Sequence, residues 1–114
     1  MHKQYGKMNV YIEDESLREL LEYGCTSDKK YKKLTKDVIN GFRKTFRYLS
    51  TASRIEDLYR IKSLNYERLS GKLKEFESVR CTGRWRLIFQ SYSSGDSLII
   101  TEIKLIELSN HYED

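Results

Sequence analysis

Two arginines in the C-terminal half of the chain have the spacing that phosphate chemistry requires. Arg80 and Arg86 stand on either side of the Thr82-Gly83 turn, in segments whose apolar residues recur at every second position. This pattern predicts neighbouring antiparallel strands with both guanidinium groups on one solvent-facing side of a sheet. Paired arginines bind phosphate through charge-assisted hydrogen bonds. Two interpretations stay open from the residues alone: a phosphate site, or surface arginines that form ion pairs with Glu77 or Glu102.

The histidines and cysteines do not have the spacing of a metal site. Cys25 and Cys81 form no Cys-x-x-Cys pair, and the histidines, His2 and His111, lie near opposite ends of the chain. Structural zinc sites draw their ligands from closely spaced pairs of these residues. We therefore expect no metal, and we expect each cysteine to be a small buried hydrophobic residue, as free thiols commonly are.

The densest positive charge lies in residues 29–36, where five of the eight residues are lysine. The whole chain holds 21 Lys and Arg against 17 Asp and Glu, a net charge of +4, which suits an anionic partner. A functional lysine run contacts phosphates or an acidic protein, whereas a non-functional one is a solvated loop and helix start. Both interpretations stay open.

The N-terminal half of the chain predicts one strand followed by helices. Residues 8–12 alternate polar and apolar side chains and predict a strand. Ser16 and Glu19 have the spacing of a capping box, which predicts a short helix that ends at Gly24. A longer helix is predicted from Thr35, with an apolar stripe along one face. The stripe consists of Val38, Phe42, Phe46 and Leu49.

The C-terminal half predicts a sheet. Ser53 with Glu56 repeats the capping pattern and predicts a third short helix or turn, and from Leu69 the apolar period changes to two. The predicted strands cover residues 76–81, 85–92 and 98–108. Short connections imply antiparallel pairing. We therefore expect a single α+β domain over residues 1–114, with an N-terminal strand and two to three helices packed on a C-terminal antiparallel sheet.

Short motifs along this sheet resemble those of a known family. They are the Leu69-Ser70-Gly71 turn, a strand ending in Ser78-Val79-Arg80, and the segment Trp85-Arg86-Leu87-Ile88-Phe89. In order and spacing they resemble the RelE/ParE superfamily of bacterial toxins, most closely the HigB-like killer proteins. Glu56-Asp57-Leu58 is similar to the family's segment between the long helix and the sheet, and His111 falls where many HigB-like chains have a histidine. The resemblance covers the chain from about Thr35 onward.

This resemblance implies the toxin of a type II toxin-antitoxin pair, which enters the ribosomal A site and cleaves the bound mRNA. Cleavage by attack of a ribose 2′-OH on its own phosphate needs cations on the phosphate oxygens, a base and an acid, without a metal or cofactor. The resemblance implies that Arg80 and Arg86 stabilise the phosphate, with Lys72 as a helper. It makes His111 the general acid or base, and Tyr112 a stacking or proton-transfer group. The implied RNA-binding residues are Lys74, Arg84 and Arg68.

The chain departs from the family pattern in two places. HigB-like toxins often end in Asp-Tyr-His, whereas this chain has Ser109-Asn110-His111, with an aromatic residue only afterwards at Tyr112. The nearest lysine, Lys72, follows the glycine of the Leu-x-Gly turn instead of preceding it. Because part of the catalytic set is displaced, two other functions stay open: a ParE-like inhibitor of DNA gyrase, and a non-toxic relative that only binds the antitoxin.

The resemblance also implies the partners, a cognate antitoxin of helix-turn-helix type together with the ribosome and mRNA. The lysine run and the basic outer face of the second helix are candidate surfaces for an acidic antitoxin or for ribosomal RNA. The apolar runs are a few residues long, as in Leu98-Ile99-Ile100, whereas a bilayer span needs roughly 20 residues. We therefore expect no membrane partner. Residues 1–11 lack the apolar stretch of a signal peptide, so we expect a cytoplasmic location, and the resemblance implies no small-molecule cofactor.

Overall fold

The computed structural model describes residues 8–70, 75–93 and 99–110. These residues form strand β1, helices α1 to α3, one turn of 3-10 helix, and then strands β2 to β5. Their bounds are β1 Asn9–Ile12, α1 Glu15–Tyr23, α2 Lys36–Thr51, α3 Ile55–Tyr59, the 3-10 turn Lys62–Leu64, β2 Glu67–Arg68, β3 Glu77–Thr82, β4 Trp85–Ser93 and β5 Ile100–Ser109. None of the helices in these residues is long and apolar enough to cross a membrane.

All five strands belong to one sheet, in the order β1-β5-β4-β3-β2. The predicted antiparallel meander is confirmed as β3-β4-β5, and the α+β fold class is confirmed with it. The sheet is mixed, because β1 pairs with β5 in parallel orientation. Parallel neighbours need a long crossover connection, and the helices between β1 and the meander provide it. The two-residue edge strand β2, which pairs with β3, was not predicted.

The N-cap of helix α1 lies two residues before the predicted cap, Ser16. Asp14 occupies the N-cap, and its carboxylate accepts a hydrogen bond from the backbone N–H of Leu17 at 3.1 Å. Ser16 lies inside the helix, and its hydroxyl donates to Asp14 at 2.5 Å, so the predicted Ser16–Glu19 capping box is wrong. The predicted end is confirmed: Gly24 adopts φ +76°, the left-handed conformation that glycine tolerates at a helix C-cap.

Helix α2 begins as predicted, with Thr35 as its N-cap. The buried face carries three members of the predicted apolar stripe, Val38, Phe42 and Leu49, while Phe46 is partly buried. Gly41 lets this helix approach β3 closely, because a Cβ added there would lie 2.9 Å from the carbonyl oxygen of Cys81. The helix therefore packs almost backbone to backbone on the sheet.

Helix α3 has a cap that the sequence pattern misassigned by one residue. The Asp57 carboxylate accepts the backbone N–H groups of Ser53 and Arg54, both at 3.1 Å. The predicted partner Glu56 is exposed, so the Ser53–Glu56 capping box is wrong while the short helix itself is confirmed. Asp57 is one position further along the chain and performs the same function.

The pairing register divides the meander into two faces. Val79 pairs with Leu87 and Leu87 with Leu108, and all three are buried in the core beneath α2. Arg80 pairs with Arg86 and Arg86 with Ser109, so these residues occupy the opposite face at the same end of the sheet. The regular register is interrupted between Arg80 and Thr82, between Ile88 and Phe89, and between Tyr92 and Ser93.

Candidate functional site

The candidate site is the end of the sheet where β3 and β5 finish and β4 begins. We call the group Arg80, Arg84, Arg86 and Ser109 the arginine edge. The predicted pairing of Arg80 with Arg86 is confirmed, because the two Cα atoms are register partners. Ser109 continues the same row on β5. Three strands thus bring cationic and hydroxyl side chains to one end of one face.

Arg80 is the exposed member of the pair. Among the described residues, its side chain makes no hydrogen bond or ion pair. Arg84 is also exposed, in the two-residue loop that joins β3 to β4. This loop depends on Gly83, whose φ of +55° fits the first position of the hairpin turn. Arg80 and Arg84 are therefore both available to an anion in solution.

Arg86 has the opposite environment, with only 7% of its surface exposed. Its Nε donates to the Ser78 hydroxyl at 2.9 Å, and its Nη2 donates to the carbonyl oxygen of Asn65 at 2.6 Å. The expectation that both guanidinium groups face solvent is therefore wrong for Arg86. Its side chain reaches across β3 and ties β4 to the segment that leads into β2, because a buried guanidinium must have its N–H groups satisfied.

The alternative in which these arginines pair with Glu77 or Glu102 is wrong. Glu77 is 2% exposed and lies on the core-facing side of β3, beside Val79. Its carboxylate accepts hydrogen bonds from the hydroxyl of Tyr66 and from both the N–H and the hydroxyl of Ser91. Glu102 pairs with Tyr92, towards the opposite end of β4 from Arg86. Neither carboxylate neutralises the arginine edge.

The Glu77 carboxylate is the centre of a buried polar network that joins β3 and β4 to the residue before β2. Tyr66 immediately precedes β2, Glu77 begins β3 and Ser91 belongs to β4, with bond lengths of 2.5 to 3.1 Å. Burial, followed by the hydrogen bond to Glu77, raises the pKa of Tyr66 above its usual range. Tyr66 also packs against Tyr59 of α3, with 4.4 Å between ring centroids. The network fixes the segment whose Asn65 carbonyl holds Arg86.

The remaining predicted site residues divide into two groups. Four of them lie outside the described residues, namely Lys72, Lys74, His111 and Tyr112. Arg68 is exposed on β2, where its register partner is Glu77. It therefore lies on the face opposite to Arg80, at the far edge of the sheet. The structure does not bring Arg68 together with the arginine edge.

The cysteines differ from each other in burial. Cys81 is packed against the core, and burial raises the pKa of its thiol to about 11, which keeps it protonated at neutral pH. Cys25 is exposed, so the prediction of a buried Cys25 is wrong. In the part of the chain that the structure describes, no cluster of three His, Cys, Asp or Glu side chains could hold a metal ion.

The lysine run is an ordered loop that is anchored to the end of β5. Tyr31, at its centre, is 2% exposed. The Tyr31 hydroxyl accepts the backbone N–H of Leu108 at 3.0 Å and is 3.4 Å from the Leu108 carbonyl oxygen, to which it donates. Next to it, Lys30 forms an ion pair with Glu107 at 3.3 Å. Lys29, Lys32 and Lys33 are exposed and form no ion pair within the described residues.

Sequence reasoning missed this anchor. β1 pairs with β5 only as far as Leu105, so the backbone of Leu108 needs another partner on that side. Tyr31 supplies it with a single hydroxyl. The signal in the sequence was one aromatic residue inside a run of lysines, because a fully solvated loop gains no stability from an apolar side chain.

Comparison with known proteins decides the family. A model of the RelE-like toxin HigB of type II toxin-antitoxin systems matches residues 11–103. The chain belongs to the HigB-like toxin family. This HigB-like chain is also similar in fold to the YoeB/ParE toxin from Agrobacterium tumefaciens, with a TM-score of 0.53 and 15% identity over 92% of this chain and 100% of that one. No curated protein matches it.

The family accounts for the element order and implies a partner. A RelE-like toxin of a type II system is paired with an antitoxin, so the HigB-like chain has an antitoxin as its partner. The similarity to the YoeB/ParE toxin concerns the fold, since 15% identity does not carry individual residues across. The arginine edge lies within the matched residues, except for Ser109.

Proposed function

We propose that this HigB-like toxin is a ribosome-dependent endoribonuclease that cleaves mRNA in the ribosomal A site and so inhibits translation. The family supports a toxin. Among the structural observations, one gives the strongest support for RNA chemistry. Arg80 is an exposed guanidinium without a partner among the described residues, held at the end of a rigid three-strand meander. A fixed cation that is not already neutralised is what a phosphate undergoing cleavage requires.

In this proposal Arg80 contacts the phosphate that is cleaved. Attack by the neighbouring 2′-OH gives a pentavalent phosphate with additional negative charge on its oxygens, and a guanidinium stabilises that charge with two parallel hydrogen bonds. Arg86 acts as a positioning residue, since its Nε and Nη2 already bond to Ser78 and Asn65. Arg84, in the neighbouring loop, contacts the mRNA backbone.

Proton transfer in the proposed reaction is assigned to the C-terminal residues. Asn110 directly follows the Ser109 end of β5, and His111 is the next residue, so the chain continues from the arginine edge. A histidine holds or releases a proton near neutral pH, which suits the base or the acid of 2′-OH attack. Tyr112 is proposed to stack on a base, and Lys72 and Lys74 to assist at the phosphate and the backbone.

The proposal includes the cellular setting. The toxin acts in the cytoplasm on ribosomes, and a cognate antitoxin of helix-turn-helix type neutralises it. The cleavage uses side chains alone, with no metal and no small-molecule cofactor.

Expression of the full chain in a bacterial host without its antitoxin tests this function. We expect growth arrest, together with cuts in reporter mRNAs that primer extension maps to a fixed position within codons. The Arg80→Gln chain should abolish both effects, whereas Arg54→Gln, which removes an exposed arginine from the start of α3, should retain them. Growth arrest without any codon-linked cut would contradict the proposal. If the purified chain also inhibits DNA supercoiling by purified gyrase, a ParE-like activity would replace it.

A further inference from the structure

Residues 29–34 of the lysine run form a loop, the lysine loop, whose properties the cleavage chemistry does not use. Of its four exposed lysines, Lys29, Lys32 and Lys33 have no ion-pair partner among the described residues, and the loop is anchored to β5. We call these three residues the lysine platform. We propose that the lysine platform binds the phosphate backbone of double-helical RNA, and that Tyr31 fixes it relative to the arginine edge. This inference rests on the proposed function and adds a second RNA contact to it.

The structure of the loop makes the platform rigid. The Asp28 carbonyl accepts the N–H groups of Tyr31 at 3.1 Å and of Lys32 at 2.8 Å, and the Asp28 carboxylate accepts the N–H of Lys30 at 2.8 Å. The Tyr31 carbonyl accepts the N–H of Leu34 at 3.1 Å. These bonds close a compact turn whose backbone is already ordered. Binding therefore has a smaller ordering cost than for a flexible lysine run.

The chemistry of the platform favours RNA over a protein. The only apolar residue between positions 28 and 33 is Tyr31, and it is buried. A protein partner of useful affinity needs an apolar centre at the interface, surrounded by polar residues. The platform offers point charges without such a centre. Point charges on flexible stems match the evenly spaced phosphates of a nucleic acid.

The same feature favours a double helix over a single strand. Proteins bind single strands by combining cations with exposed aromatic rings on which the bases stack. The ring of Tyr31 is buried and cannot stack on a base. Double-helical RNA is recognised mainly through its backbone and 2′-hydroxyl groups, which a lysine platform can contact without reading bases. Folded ribosomal RNA presents this kind of surface.

Tyr31 connects this platform to the arginine edge through the backbone. Its hydroxyl bonds to Leu108, the next residue is Ser109, and Ser109 pairs with Arg86. The ion pair between Lys30 and Glu107 adds a second contact between the loop and β5. A helix of RNA seated on the platform is thus held at a fixed position relative to Arg80. Tyr31 is a positioning residue in this proposal.

Binding of fluorescently tagged RNA to the purified full chain tests the inference. The probe is a blunt RNA duplex of about 16 base pairs, a length that spans two successive minor grooves, with one of its single strands as the comparison. We expect the triple variant Lys29→Gln, Lys32→Gln, Lys33→Gln to bind the duplex roughly tenfold or more weakly, and the slope of log affinity against log salt to fall by about two to three. A matched triple variant, Arg54→Gln, Arg60→Gln, Lys62→Gln, removes the same charge from α3 and the 3-10 turn and should change both values little.

Tyr31→Phe separates anchoring from charge. It keeps the three lysines, so the salt slope should stay the same, while duplex affinity falls severalfold because the platform is less fixed; circular dichroism verifies that the variant is folded. Three outcomes would each overturn the inference. The two triple variants could lose duplex affinity equally, the unaltered chain could fail to bind the duplex, or the lysine variant could lose affinity for the single strand alone. Retained duplex binding with lost neutralisation by the cognate antitoxin would assign the platform to a protein instead. Codon-linked cuts by the unaltered chain report on the proposed function separately.

Discussion

Arg80 and Arg86 have the same side chain in opposite surroundings. They are register partners on adjacent strands, yet Arg80 is exposed and Arg86 is 7% exposed. Burial converts Arg86 into a structural residue, because its guanidinium donates to Ser78 and Asn65. Exposure leaves Arg80 for a ligand. The alternation of the sequence places both arginines on one face. It cannot show that the segment before β2 covers Arg86 and leaves Arg80 exposed.

Substitution of each arginine by glutamine should therefore give opposite results. Arg80→Gln should reduce the rate of mRNA cleavage roughly 100- to 1000-fold, the loss expected for one charge-stabilising donor, and change unfolding free energy by less than about 0.5 kcal/mol. Arg86→Gln should lower the unfolding free energy by about 3 kcal/mol, because buried acceptors lose a charged donor. Urea denaturation together with a cleavage assay measures both. Equal stability of the two variants would contradict this division.

Tyr66 provides a pH test of the buried network. Its pKa is raised above the ordinary value of 10.0, so the folded chain holds this proton more tightly than the unfolded chain does. The stabilisation is complete below pH 10 and is lost as the pH rises beyond it. We expect the unfolding free energy of the unaltered chain to exceed that of Tyr66→Phe by about 1 kcal/mol at neutral pH, and this difference to narrow in alkaline solution.

Urea denaturation from about pH 8 to about pH 11 measures the difference. Tyr23→Phe is the matched control, because Tyr23 is 72% exposed and should show neither effect. A difference between the unaltered chain and Tyr66→Phe that is constant over this range would show that folding does not raise the pKa of Tyr66.

Among the secondary-structure elements, the contact between α2 and β3 sets the position of the arginine edge. Gly41 stands in the middle of α2, where helix propensity alone favours alanine by about 1 kcal/mol. A Cβ at this position would meet the Cys81 carbonyl oxygen at 2.9 Å and the Thr82 Cβ at 3.1 Å. Both neighbours belong to β3, one and two residues beyond Arg80. The glycine therefore serves the packing of helix on sheet.

Gly41→Ala should destabilise the chain in spite of its better helix propensity. Overpacking against backbone costs about 1 to 3 kcal/mol, which exceeds the gain in propensity. Asn40→Ala is the matched control: Asn40 is exposed on the same helix, and its substitution should stabilise by a few tenths of a kcal/mol. Thermal unfolding of both variants decides this, and a stabilised Gly41→Ala chain would contradict the close contact.

The elements that the sequence predicted correctly are those with a strong local signal. Periodicity located α2 and the three meander strands to within about two residues, because a long apolar stripe is typical of a helix and strict alternation is typical of a strand. The caps of α1 and α3 were assigned to serines, while Asp14 and Asp57 perform the capping. The parallel pairing of β1 with β5 depends on contacts distant in sequence, which no local pattern contains. The edge strand β2 has two residues, too few to show an alternating pattern.

At the scale of the whole molecule, the described residues form two cationic surfaces at one end of the sheet. The arginine edge lies on its outer face, and the lysine platform is anchored at the edge of β5, one residue from Ser109. The sequence predicted the first surface from paired strands and left the second open. The sequence could not show whether the lysine run is functional, because its anchor is a hydrogen bond between residues 77 positions apart. Only the folded chain brings Tyr31 and Leu108 together.

The measurement that tests the proposed function most directly is cleavage by the purified chain on purified ribosomes programmed with a defined mRNA. We expect cuts at a fixed position in the A-site codon that require ribosomes, a roughly 100- to 1000-fold slower rate for Arg80→Gln, and an unchanged rate for Arg54→Gln. Intact mRNA after prolonged incubation with the unaltered chain, or equal rates for the unaltered and Arg80→Gln chains, would contradict the proposed function.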